Sequence, residues 1–112
     1  MPHLPTAEAP PLMTMLEGLI ATPSVSSVTP GWDQSNRPLL ELLAGWLTDA
    51  GFAVEMLEIP GHPDKANLVA TLGSGPGGLV LSGHADTVPF DAPLWQHDPL
   101  KLSEASGRLY GL

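Results

Sequence analysis

Asn36-Arg37-Pro38-Leu39-Leu40-Glu41-Leu42-Leu43-Ala44-Gly45-Trp46-Leu47-Thr48-Asp49-Ala50-Gly51-Phe52-Ala53-Val54-Glu55-Met56-Leu57-Glu58-Ile59 changes its period half-way along. Up to Ala50 the apolar residues fall on one helical face: Leu39, Leu42, Leu43, Trp46, Leu47 and Ala50, with Leu40 the one aliphatic off the stripe. Asn36 suits an N-cap, and Pro38 sits in the first turn, where its missing N–H costs little. Gly51 supplies the position after the helix that needs positive φ. From Phe52 the period is two, with Phe52, Val54 and Met56 on one side and Glu55 on the other. A helix followed at once by a half-buried strand marks an α/β or α+β chain.

Upstream, Leu12, Met15, Leu16, Leu19 and Ile20 give a shorter amphipathic helix that ends near Thr22-Pro23. Residues 23–36 are rich in Ser, Thr and Pro and read as a loop. Residues 1–11 carry no basic run and three prolines before Pro11, unlike a secretory leader, and read as a flexible tail. Downstream, Pro60 to Asp64 is a turn, and Asn67 to Leu72 a strand with Leu68, Ala70 and Leu72 on one face. Gly73 to Gly78 is the next turn, expected to join a hairpin. Leu79-Val80-Leu81 is a continuously apolar strand of the kind buried on both faces of a sheet. A turn-rich stretch from Pro89 to Pro99 leads to a last strand around Arg108-Leu109-Tyr110. The pattern opens a layered α/β domain spanning 12–112; a small complete α+β domain is the alternative.

Composition narrows the function. Of 112 residues, 43% are hydrophobic and 14% charged, the balance of a globular chain. Four basic residues (Arg37, Lys65, Lys101, Arg108) face twelve acidic ones, for a net charge of −8. Binding to nucleic acid or to an anionic membrane surface is disfavoured by that sign. With no cysteine, thiolate nucleophiles, cysteine zinc sites and disulfides are excluded, in keeping with a cytoplasmic setting. No run of apolar residues is long enough for a membrane span.

Two motifs merit weighing. Gly73-x-Gly75-x-x-Gly78 has dinucleotide-fingerprint spacing, but a strand rather than a helix is expected after it. Without a helix N-terminus to meet a pyrophosphate, the turn reading prevails. Ser82-Gly83-His84-Ala85-Asp86-Thr87-Val88-Pro89 follows an apolar strand, and ligand sites gather at strand ends. His84 and Asp86 stand two apart, so in extended backbone both leave on one face. A neutral imidazole can ligate a dication while the carboxylate accepts its other N–H. The same spacing also fits a structural histidine bonded to an aspartate, the commoner case for so short a pattern. His3, His62 and His97 lie in tail, turn and loop, and are expected in solvent.

The run from Gly77 through His84 and Asp86 to Asp91 resembles the first metal motif of the M20 family of metallo-aminoacylases and peptidases. Trp95, Asp98-Pro99, Leu102, Glu104 and Gly107 to Leu112 continue the resemblance in order, and Leu19 to Ser26, Asp33 to Asn36 and Ala66 to Leu68 precede it. The resemblance implies a three-layer α/β/α zinc-hydrolase catalytic domain of which 12–112 is the N-terminal portion. It implies two zinc or cobalt ions, with His84 as a metal ligand and Asp86 as the catalytic residue that orients it. It further implies a small-molecule N-acyl amino acid substrate, an amide-hydrolase reaction and a homodimeric full-length form. Within the family, Asp33-Gln34-Ser35-Asn36, Thr87 to Asp91 and Leu109 to Leu112 point to a deacetylase, with a desuccinylase or dipeptidase as runner-up. The aspartate that bridges both metals, the general base and the remaining ligands match positions beyond Leu112. Coding sequence is therefore expected to continue into an aspartate-containing motif within about ten residues, because domain boundaries favour exposed polar linkers over apolar strand-like runs.

Overall fold

The computed structural model describes residues 10–112. The tail assigned to 1–11 therefore lies almost wholly outside the described residues. Helix α1 spans Leu12–Ile20, and α2 spans Arg37–Asp49. Strands β1 (Ala53–Ile59) and β2 (His62–Thr71) pair antiparallel. A short 3-10 turn at Ala92–Leu94 precedes a second antiparallel pair, β3 (Ser103–Ala105) and β4 (Arg108–Tyr110). The result is a small α/β fold.

The end of α2 follows from its sequence. Phe52 N–H donates to Leu47 O and Gly51 N–H to Thr48 O, each at 3.0 Å, and Gly51 has φ 91°. These two bonds form a Schellman motif, which only a residue tolerant of positive φ closes without strain. The start of α2 departs from expectation. Asn36 makes no side-chain cap; instead its amide donates to Ala66 O and its carbonyl oxygen accepts from Ala66 N–H, both at 3.0 Å. Asn36 thereby ties the helix to β2.

The β1–β2 hairpin presents Val54 and Met56, with Ala70 and Leu68 opposite them, and Ala66, opposite Glu58, to the covered side. A register shift between Glu58 and Ile59 returns Ile59 to that side, out of strict alternation. Helix α2 packs on both strands and also against α1. Where the helices meet, a Cβ on Gly18 would come 3.3 Å from the Trp46 ring, so glycine permits the close approach. Because two neighbours cover α2, a wider arc is withdrawn from water than a single stripe. Leu40 is as buried as Leu39, both 5% exposed, whereas Leu43 and Trp46 are half-buried. The off-stripe reading of Leu40 is thereby corrected.

Three other expectations give way. Residues 79–81 form no ladder, and Leu79, Val80 and Leu81 are 84%, 90% and 86% exposed. A strand buried on both faces needs paired strands at its edges and layers over its faces, and no described segment pairs with 79–81. Residues 73–78 accordingly close no hairpin, and no helix begins there either. Leu72 lies past the end of β2 and is exposed, and β3 went unread because three residues carry too little periodicity. The core is thin: Val25, Leu39, Leu40 and Ala66 are buried, joined by Ser24 and by Pro99 in the loop before β3. Among the described residues no helix is long and apolar enough to cross a membrane.

Candidate metal-ligand loop

Residues 82–89 run extended, with Ala85, Thr87 and Pro89 turned inward and His84, Asp86 and Val88 outward. The two-residue spacing therefore does place both polar side chains on one face. His84 Nδ1 lies 3.1 Å from Asp86 Oδ1 and 3.0 Å from Asp86 O. With Asp86 ionised, both partners are acceptors only, so Nδ1 carries the hydrogen and Nε2 of the neutral ring keeps its lone pair. The His84 side chain is 82% exposed, leaving Nε2 open to solvent.

The loop is held from upstream. Val25 and Thr87 form a parallel bridge, with Thr87 N–H donating to Ser24 O at 3.1 Å and Ser26 N–H to Thr87 O at 2.9 Å. Ser24 Oγ–H donates to Ala85 O at 2.5 Å. Val25 is in turn gripped by Gln34, whose Oε1 accepts Val25 N–H at 2.9 Å while Gln34 N–H donates to Val25 O at 2.8 Å. Asp33 accepts Ser27 N–H and Lys65 Nζ, both at 2.9 Å. Those contacts, the Ser27 amide first and Lys65 next, hold the Asp33 carboxyl below its ordinary range. Ser35 Oγ–H donates to Asp64 O at 2.7 Å.

The sequence pattern assigns no structural role to Ser24, Asp33, Gln34 or Ser35, and gives Asn36 only a helix cap. The available signal was four consecutive side chains able to bond backbone, set between two regular elements. Of the other histidines, His3 lies outside the described residues and His62 is exposed at the start of β2. His97 corrects the solvent reading: it is half-buried, its ring 4.2 Å from that of Tyr110. The two rings help line a surface recess of about 300 Å³ with Leu94, Trp95 and Gln96, a set that shares no residue with the 82–89 loop.

His84 and Asp86 suit one ligand and its orienting partner in a centre for zinc or cobalt. Among the described residues no group of three or more His, Asp or Glu side chains could hold a metal ion.

No family model matches the chain. Curated proteins do. It is 54% identical over 103 residues to an acetylornithine deacetylase of Pasteurella multocida, covering 92% of this chain and 27% of that protein. Identity is 50% over 105 residues to the Vibrio campbellii protein of the same name, covering 94% of this chain and 27% of the relative. For the Photorhabdus laumondii protein, also so named, it is 52% over 103 residues, covering 92% and 27%. The chain is a relative of the acetylornithine deacetylases. It spans about a quarter of the length of the curated relatives it matches. A match covering 103 of 112 positions takes in residues 82–89 wherever it begins, so the loop lies inside the shared region.

Proposed function

We propose that this chain carries the first metal ligand of a deacetylase that hydrolyses N²-acetylornithine to ornithine and acetate, a step of arginine biosynthesis. Identity of 50–54% to proteins of that name supports the reaction class. The observation that carries the site is the His84 Nδ1–Asp86 bond, which leaves Nε2 as the donor atom. In this reading Nε2 is a ligand to zinc or cobalt. Such an ion supplies Lewis acidity toward the amide carbonyl when bound. Asp86 keeps the imidazole in the Nδ1–H tautomer and, by accepting that hydrogen, makes Nε2 more basic. Residues 12–112 are then the N-terminal portion of a three-layer α/β/α catalytic domain, in a cytoplasmic homodimer. The other ligands and the general base come from the part of the relatives' length that this chain does not span.

The test uses the polypeptide as its gene encodes it in full, purified with zinc or cobalt. Acetate release from N²-acetylornithine is compared with release of succinate from an N-succinyl amino acid. His84→Ala should lose metal and activity together. Asp86→Asn should weaken metal binding about 10- to 100-fold, the usual effect of removing a ligand's hydrogen-bond partner. Wild-type hydrolysis by His84→Ala, at wild-type metal content, would sink the assignment.

A further inference from the structure

We propose that Ser24 and Gln34 are positioning residues for the His84–Asp86 pair; this rests on the reading of His84 as a metal ligand. Ser24 is the one buried polar side chain among the described residues, 2% exposed in a core otherwise made of aliphatics. Its hydroxyl is spent on Ala85 O, the carbonyl of the peptide that joins Ala85 to Asp86. That peptide plane sets the direction in which the Asp86 side chain leaves the backbone. Asp86 in turn aims the imidazole, and a ligand must be held within about 10–20° of its working direction. Neither His84 nor Asp86 has packing to do this, with 82% and 54% of their side chains exposed. Their orientation has to come from the backbone beneath them.

Gln34 extends the same hold. It bonds both polar backbone atoms of Val25, the residue paired with Thr87 in the bridge. Lys65 Nζ then donates to Gln34 O at 2.5 Å, which fixes Gln34 to β2. Directional bonds thus run from the hairpin through Gln34 and residues 24–26 to the two sides of Asp86. A residue serving stability alone would leave metal affinity untouched when removed. A positioning residue changes that affinity in a protein that remains folded.

The experiment titrates the polypeptide, as its gene encodes it in full, with Co²⁺, following visible absorption of the bound ion. Far-UV circular dichroism selects a temperature at which each variant is folded. Ser24→Ala should weaken Co²⁺ binding about tenfold, at the low end of the range for outer-shell partners, while Ser24→Thr, which keeps the hydroxyl, stays within about threefold of the parent. Gln34→Met keeps the length of an exposed side chain but removes the acceptor, and should weaken binding about three- to tenfold. If Ser24→Ala does not fold, Gln34→Met decides alone. Parent-like Co²⁺ affinity in the folded variants, with affinity lost in His84→Ala, overturns the positioning role and leaves the ligand reading standing. Parent-like affinity in His84→Ala as well overturns both.

Discussion

Replacing Leu40 by alanine tests how α2 is seated. Spacing alone puts Leu40 off the apolar face and Leu43 on it, whereas the structure buries Leu40 to 5% exposure and leaves Leu43 half-covered. The two schemes rank the substitutions in opposite order. Leu40→Ala removes three carbon groups from a site closed to water, about 2.4 kcal/mol at roughly 0.8 per group. The unrelaxed part of the cavity raises the expected loss to between ~2 and ~5 kcal/mol. Leu43→Ala should cost about half as much, since transfer energy follows the area covered. A chain of this size ordinarily has about 5–15 kcal/mol of stability, and so thin a core belongs at the low end. Leu40→Ala should therefore lower the melting temperature by roughly 8–40 °C, taking about 4–8 °C per kcal/mol. Urea unfolding followed by tryptophan fluorescence, with Trp46 on α2 as a reporter, measures both variants. A Leu40→Ala cost below that of Leu43→Ala would refute the two-sided burial of α2.

The bonds to the Ser27 amide and to Lys65 hold the Asp33 carboxyl below its ordinary range, so they favour the folded state at pH above the unfolded group's pKa. That contribution fades as pH falls from about 4 through the folded value, and Asp33→Asn should flatten this part of a melting profile taken from about pH 5 to pH 2. Changing Leu79, Val80 and Leu81 together to serine should move stability by no more than about 0.5 kcal/mol per site, the usual range for exposed positions. The same change should reduce self-association in sedimentation velocity, and a loss of several kcal/mol would show the segment to be packed after all. The 112-residue chain alone should release no acetate from N²-acetylornithine, because catalytic zinc normally takes three protein ligands and the described residues offer no such group. Metal-dependent turnover by that chain, abolished in His84→Ala, would contradict this.

Legibility followed the length of each periodic signal. Helix α1, helix α2 and β1 were readable because their apolar residues repeat over several turns or alternations, and Gly51 marks the end of α2 unmistakably. The 79–81 segment misled because an apolar run specifies that a strand wants cover without specifying what covers it. Leu40 misled because periodicity assumes one buried face, and α2 has two neighbours. At the site, the outward placement of His84 and Asp86 was readable, since a two-residue spacing in extended backbone is a local property. What holds that loop was not. Ser24 and Ala85 stand 61 residues apart, and no local pattern encodes a hydrogen bond across such a distance.

The physical consequence is that this loop is fixed by direction more than by burial. Aliphatic packing in the described residues centres on α2 and the hairpin, and Val25 is the buried aliphatic nearest the loop in the bonding pattern. Hydrophobic contact is non-directional and would tolerate a small slide of residues 84–86. A hydroxyl bonded to Ala85 O, bracketed by two ladder bonds at Thr87, is not so tolerant, because hydrogen bonds weaken steeply with angle. No buried side-chain nitrogen or oxygen among the described residues lacks a bond. Removing the Ser24 hydroxyl would take from the part-buried Ala85 carbonyl its protein partner, a loss of about 0.5–1.5 kcal/mol for an ordinary hydrogen bond, which resists loosening of the loop. Meanwhile the imidazole itself stays in solvent, free on its Nε2 side. If His84 is the ligand proposed above, a hydrogen-bonded backbone under an open side chain fixes the direction of Nε2 and leaves it accessible.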